Sequence, residues 1–230
     1  MGDLVLSLFP GIGLLDMAFE EVGFCVVRGP DLLWGGDIRH FHPPAGRFDG
    51  VIGGPPCQVF SRLRSLLKAT GHDVRHGNLI PEFERVVSEV RPRWFLMENV
   101  SQAPVPSVIG YQVKVFDLCN RWVGGVQRRK RRFSFGTHDG TELDVDIVAL
   151  EAFDCAVAVL AGHGPIGRGK NYQGTVSIAK MCELQGLPQD FLDEAPFTVQ
   201  GKRRVLGNGV PLPMGRAIAQ AVVKAVVGDE

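Results

Sequence analysis

Along the first hundred residues, short apolar runs punctuated by glycine and proline alternate with stretches of helical spacing. Residues 4–9 are mostly apolar and stop at Pro10-Gly11-Ile12-Gly13, after which Leu14, Leu15, Ala18 and Phe19 recur at the 3.6-residue period. That predicts strand, glycine turn, helix. Residues 24–27 read as a second strand, and Gly50-Val51-Ile52-Gly53 as a third that closes on Gly54-Pro55-Pro56. Residues 81–90 predict a helix begun by Pro81, where a missing N–H leaves no bond unmade. Trp94-Phe95-Leu96-Met97 predicts a strand ending at Glu98-Asn99. Strands alternating with helices imply an α/β class with a doubly wound, mostly parallel sheet covered by helices on both faces.

The pattern changes after residue 136. Residues 137–174 are glycine-rich with weak periodicity and predict a small irregular lobe. Residues 214–227 are rich in alanine and valine at helical spacing, and are expected to pack back on the sheet. A chain of 230 residues with 45% hydrophobic content suffices for one sizeable core.

Charge and cysteine narrow the function classes. Lys plus Arg number 25 and Asp plus Glu 25, so whole-protein steering towards a polyanion is not expected. Contact with one would come from local clusters, Arg128-Arg129-Lys130-Arg131-Arg132 or Lys202-Arg203-Arg204. Cys25, Cys57, Cys119, Cys155 and Cys182 are widely spaced without a C-x-x-C pair, which speaks against a disulfide framework or zinc site and for a reducing cytoplasm. His40, His42, His72 and His76 lack the ligands to complete a tetrahedral site, so no metal is expected. The first ten residues lack a basic segment before their apolar run and do not read as a secretory signal, and no apolar stretch reaches membrane-spanning length.

Two places carry chemistry. Gly11-x-Gly13 after the first strand would let a ligand approach the backbone at a helix N-terminus, although an ordinary strand-to-helix turn reads the same way. Leu14 follows, and Met17 stands where a third glycine would fall, so a pyrophosphate ligand is disfavoured. Gly53-Gly54-Pro55-Pro56-Cys57-Gln58 sets a cysteine just beyond the carboxyl end of a strand, where open parallel sheets bind ligands. A buried, inert cysteine is the alternative. Glu98, ending the next strand, would face the same crevice, and a nucleophile with a carboxyl acid are the parts of covalent catalysis with proton transfer.

Read in order, Gly54-Pro55-Pro56-Cys57-Gln58-x-Phe60-Ser61, Glu98-Asn99-Val100 and Gln127-x-Arg129-x-Arg131 resemble the catalytic motifs of the DNA (cytosine-5)-methyltransferases. Phe9-x-Gly11-x-Gly13 is similar to that family's cofactor loop, Gly36-Asp37-Ile38 to its adenine-binding turn, and Gly77-Asn78-Leu79 to the segment after its catalytic loop. Cys182-Glu183-Leu184-Gln185-Gly186-Leu187-Pro188-Gln189-Asp190-Phe191 resembles the motif that organises its target-recognition lobe, and Gly207-Asn208-Gly209-Val210-Pro211 its last cofactor motif.

The resemblance implies a Rossmann-like S-adenosylmethionine-dependent methyltransferase fold. Residues 1–136, completed by 201–230, would form the catalytic and cofactor-binding domain, and residues 137–200 the recognition lobe. It implies Cys57 as nucleophile towards C6 of a flipped cytosine, Glu98 at N3, Arg129 at the carbonyl O2 and Arg131 as its partner. Phe9, Gly11, Gly13, Leu14, Asp37, Ile38, Pro55, Leu79, Asn208, Gly209 and Val210 would hold S-adenosylmethionine, which leaves as S-adenosylhomocysteine. Where relatives end the second strand with a ribose-binding acid this chain has Arg28, and Asp31 is the substitute. Gln58, Ser61, Arg168 and Lys170 would touch double-stranded DNA, with His138, His163, Asn171 and Gln173 as further polar candidates. The protein is expected to act as a monomer, and its short lobe to specify few base pairs. Two other readings stay open: an RNA cytosine-5 methyltransferase of the same fold, and a catalytically silent DNA-binding relative.

Overall fold

The computed structural model describes residues 3–56, 77–148, 156, 158–161 and 176–227. Its strands are β1 (Leu4–Leu8), β2 (Cys25–Arg28), β3 (Gly50–Gly53), β4 (Trp94–Asn99), β5 (Gln112–Cys119) and β6 (Lys130–Thr137). They form a six-stranded sheet in the order β2-β1-β3-β4-β6-β5. β1 pairs in parallel with β2 and β3, and β3 with β4, as the alternation of runs predicts. β6 is antiparallel to β4, with Glu98 opposite Phe133 and Asn99 opposite Arg132. Strand order reverses between β1 and β3, whose last residues, Leu8 and Gly53, are register partners. The carboxyl ends of these two strands therefore flank a topological switch point, where open α/β sheets take their ligands.

The chain divides into two compact units. The first, Met1–Pro10, Gly23–Leu118 and Lys130–Leu143, holds the sheet and the helix α2 (Ile80–Val90); α1 belongs to the second. Pro81 lies in the first turn of α2, as expected. Phe83, Val86, Val87 and Val90, on one stripe of α2, are fully buried against Leu6, Leu8, Val51, Phe95 and Met97. Each such side chain contributes about 1.5–3 kcal/mol by leaving water. The alternate residues of β4 serve the other face of the sheet, where Trp94 meets Phe24 at 5.7 Å and Phe135 at 6.2 Å between ring centroids. All of β4 is buried, so its polar end, Glu98-Asn99, is drawn into the interior by the apolar run before it.

The second unit, Gly11–Val22, Cys119–Arg129 and Asp144–Glu230, holds α1 (Leu14–Glu21), α3 (Ile178–Leu184), α4 (Val199–Asn208) and α5 (Leu212–Val227). α5 matches the helix predicted for the tail. Inside this unit it lies against α1: a Cβ on Gly215 would stand 3.0 Å from Cβ of Ala18, and Arg216 holds Glu21 with bonds of 2.6 and 2.9 Å.

Gly136 of β6 sits opposite Phe95, and a Cβ there would meet the phenyl ring at 2.2 Å. Gly136→Ala should therefore destabilise the chain by about 1–3 kcal/mol through overpacking beneath a fully buried ring. Denaturant unfolding checks this, and an unchanged midpoint would show that the sheet accommodates the methyl group.

Candidate active site

Glu98 is 8% exposed. A carboxylate this buried needs a charged partner, and Arg131 supplies it, Nε standing 2.7 Å from Oε1. The antiparallel register explains the contact. Glu98 faces Phe133, and Arg131 is two residues from Phe133 along β6, hence on the same face and diagonal to Glu98. Lys130 and Arg132, on the alternate face, both reach Asp117 of β5, at 3.1 and 3.3 Å. Burial works to raise the Asp117 pKa, but bonds from Lys130 and Ser101 outweigh it and hold the carboxyl below the usual range. Arg132 also donates to the carbonyl of Ala103 at 3.3 Å. Three consecutive basic residues are thus divided between two carboxylates, and Lys130 and Arg132 are tied to protein rather than left for phosphate or solvent alone.

The chain leading to the nucleophile candidate runs against this pair. Asn99 Nδ2 donates to the carbonyl of Pro55 at 3.1 Å, while its Oδ1 accepts from Val100 N–H at 2.9 Å. At Gly54 a Cβ would stand 3.1 Å from Glu98 Oε2, so a side chain there would crowd the carboxylate. Gly54-Pro55-Pro56 therefore passes directly beside Glu98-Asn99, at the end of β3 that flanks the switch point. Cys57, Gln58 and Ser61 lie outside the described residues, as do Arg168 and Lys170 with His163, Asn171 and Gln173.

Among the cofactor candidates of the first unit, Phe9 adopts φ 56°, a left-handed conformation that a non-glycine residue takes only when its surroundings impose it. Its N–H reaches the carbonyl of Pro30 at 3.3 Å. Asp31 caps the turn Leu32–Trp34, accepting from Leu33 N–H at 2.7 Å. Asp37 caps the turn Ile38–His40, and the Arg39 side chain, its main partner, keeps its pKa at about 2. Ile38 is buried, and Leu79, which precedes α2, packs on the same apolar cluster; Pro55 is buried too.

In the second unit Gly11 and Gly13 are both left-handed, at φ 57° and 80°, and Gly13 caps α1. Among the described residues, and its chain neighbours apart, none comes within 4 Å of where a Cβ of Gly11 would stand, whereas one on Gly209 would come within 2.6 Å of Leu14. Leu14, Gly209 and buried Val210 are thus brought together, with exposed Asn208 beside them.

Arg129 has a different setting from Arg131. It is 2% exposed, and its guanidinium donates to the carbonyls of Val159 at 2.8 Å, Gly207 at 2.9 Å and Gly209 at 3.1 Å. Next to it, Gln127 accepts from Val159 N–H at 2.9 Å and donates to Gln185 Oε1 at 2.8 Å and to the carbonyl of Leu184. Gln185 in turn donates to the carbonyl of Leu206. Gln185 was legible only as one letter of a motif, and Asp117 not at all, since a lone acid in a strand gives no sign of its partners.

His138 lies in the first unit. It follows Thr137, the register partner of Trp94 at the start of β4, whereas Glu98 lies four residues further along that strand, about 13 Å at 3.3 Å per residue. There it stacks on Tyr111 at 4.4 Å and its Nδ1 faces the Gly110 carbonyl at 2.9 Å. Among the described residues, no group of three or more His, Cys, Asp or Glu is arranged to hold a metal ion, and no helix is long and apolar enough to cross a membrane.

Residues 35–159 match the family model of the C-5 cytosine-specific DNA methylases. The chain belongs to this methylase family. It is 31% identical over 172 residues to the type II methyltransferase M.NgoPII of Neisseria gonorrhoeae, covering 67% of this chain and 44% of that protein. With M1.HphI of Haemophilus parahaemolyticus, also a type II methyltransferase, it shares 36% identity over 188 residues, 76% of this chain and 47% of that one. The chain thus spans about half the length of these methylases. A solved structure from an E. coli prophage, described as a putative DNA modification methyltransferase, superposes with a TM-score of 0.64 at 17% identity, over 98% of this chain and 100% of the other. At that identity the likeness shows the fold, the α/β arrangement of an S-adenosylmethionine-dependent methyltransferase. C-5 cytosine methylases as a family use S-adenosylmethionine.

Gln185→Leu should cost about 2–4 kcal/mol, because it removes one of the buried bonds of Gln127 and takes the side-chain donor from the Leu206 carbonyl. Urea unfolding measures it; a loss below about 0.5 kcal/mol would mean that the network is not a source of stability.

Proposed function

We propose that this protein methylates C5 of cytosine in double-stranded DNA, using Cys57 as nucleophile. The observation that carries this reading is the buried Glu98–Arg131 pair set against Gly54-Pro55-Pro56, the three residues that deliver Cys57. A carboxyl and a guanidinium held together match the edge of a cytosine ring, which presents an amino group, a ring nitrogen and a carbonyl oxygen. DNA rather than RNA is favoured by the type II methyltransferases at 31% and 36% identity.

Carbon 5 of cytosine is a weak nucleophile, so the Cys57 thiolate adds first to C6, forming a C–S bond and moving the ring electrons towards C5 and N3. Glu98 takes the N3 edge, where a shared proton receives the developing charge, and Arg131 orients the carboxyl. The setting of Arg131 beside Glu98, against that of Arg129 on three backbone carbonyls, favours Arg131 as the arginine at the base carbonyl O2. Arg129 on this reading holds the carboxyl end of α4, at Gly207 and Gly209, to the 158–161 segment. S-adenosylmethionine, when bound, supplies an electrophilic methyl group. The left-handed turn at Gly11 and Gly13 ahead of α1, with no side-chain cap on that helix, suits the backbone approach of such a nucleoside, and Phe9, Gly11, Gly13, Leu14, Asp31, Asp37, Ile38, Pro55, Leu79, Asn208, Gly209 and Val210 are the residues proposed to hold it. Loss of the C5 proton and breakage of the C6–S bond return Cys57 to thiolate. The target atoms lie inside the duplex, so the base is flipped out, with Gln58 and Ser61 near the opened site.

Residues 137–200 are proposed as the recognition lobe, with Arg168 and Lys170 on DNA, and the protein as a cytoplasmic monomer. Transfer of a tritiated methyl group from S-adenosylmethionine to duplex DNA tests the reading. Cys57→Ser should fall to background, and Glu98→Gln should slow by roughly 10²–10⁴-fold with DNA affinity within a few-fold. Substantial turnover by the serine variant would remove covalent catalysis, and equal losses of binding and rate would make Glu98 a positioning residue.

A further inference from the structure

Arg85, in the middle of α2, spends its guanidinium on residues distant in sequence. Its Nη2 donates to the carbonyl of Ile38 at 2.7 Å and its Nη1 to that of Phe41 at 3.1 Å. The group is oriented from its own helix by two acids, Glu82 at 2.8 Å on Nε and Glu89 at 2.7 Å on Nη1. His42 Nδ1 adds a further neighbour, 3.3 Å from Arg85 and 3.2 Å from Glu89. The two carbonyls bracket the turn Ile38–His40, which Asp37 caps. That turn is otherwise anchored by the buried Ile38 side chain, which shares its apolar cluster with α2 and with Leu79 just before it.

Electrostatics makes Arg85 necessary rather than convenient. Without its charge, two carbonyl oxygens would face α2 across from two carboxylates, all of them acceptors. Repulsion would lift the turn off the helix. A planar guanidinium with several diverging N–H groups satisfies carbonyls and carboxylates at once, which a lysine ammonium, a single point charge, does less well.

We propose that Arg85 is a positioning residue for cofactor binding: by clamping the carbonyls of Ile38 and Phe41 to α2, it holds the Asp37-Ile38 turn in register with Leu79. The proposal rests on the reading that Asp37 and Ile38 receive the adenosyl group. Holding the turn in its bound geometry spares S-adenosylmethionine the cost of ordering it, so Arg85 acts on cofactor affinity without touching the cofactor.

The test uses the whole chain, S-adenosylhomocysteine as the probe and titration calorimetry. Arg85→Gln should weaken binding by about tenfold or more, and Arg85→Lys by less, since the charge but not the fork is kept. Amide hydrogen exchange over residues 38–42 should rise in the Gln variant while that of β3 and β4 stays as in the wild type, a local change that general destabilisation would not give. Wild-type affinity in Arg85→Gln with unchanged exchange would overturn the proposal; should that variant fail to fold, wild-type affinity and exchange in Arg85→Lys would do so. Asp37→Ala separates the two levels. If it weakens binding while the Arg85 variants do not, only the positioning role fails, and if it leaves affinity untouched, the adenosyl reading of the turn falls and takes the positioning role with it.

Discussion

A carboxylate cannot be left alone in the interior of a protein, and much of the first unit is arranged around satisfying Glu98. The residue is interior because the strand that carries it is apolar on both faces, and Arg131, 2.7 Å away, gives its carboxyl a charged partner there. That contact requires β6 to run antiparallel to β4 in one register only, since a slip by one residue would turn Arg131 to the opposite face and bring Lys130 or Arg132 in its place. Asp117 holds that register from the other side by taking both neighbours. Removing either member of the Glu98–Arg131 pair strands a buried charge, so the pair is a structural necessity as well as the chemical centre of the proposed reaction.

The second unit meets a similar constraint by different means. Arg129 is buried more completely than Glu98, and its guanidinium donates to three backbone carbonyls, those of Val159, Gly207 and Gly209. Its bonds to backbone carbonyls fasten residues 158–161 to the carboxyl end of α4 at Gly207 and Gly209, where the residues proposed as the last cofactor motif lie. Two arginines two residues apart in a motif thus have different partners, backbone carbonyls for Arg129 and the Glu98 carboxylate for Arg131.

The strands through β4 and the helix that follows Pro81 were legible in the sequence because apolar periodicity and glycine punctuation are local properties. β5 and β6 were not, since Gln112-Val113-Lys114-Val115-Phe116 and Lys130-Arg131-Arg132-Phe133 mix charge and apolar residues in a way that resembles a solvated face until the pairing partner is known. The catalytic set emerged from motif order rather than from periodicity, and the partition of the basic run between Glu98 and Asp117 required the fold. Gln127, Arg129 and Gln185 work through partners 21 to 80 residues away, and no short window of sequence contains such a network.

The central claim is a covalent bond between Cys57 and C6 of a cytosine. Duplex DNA in which 5-fluorocytosine replaces the target base tests it most directly, because fluorine cannot leave C5 as a proton does and the adduct cannot resolve. Incubated with S-adenosylmethionine, the protein should form a complex with this DNA that survives denaturation and whose mass is that of protein plus methylated strand, with Cys57 as the modified residue. Protein that methylates ordinary cytosine yet yields no such complex would contradict the claim.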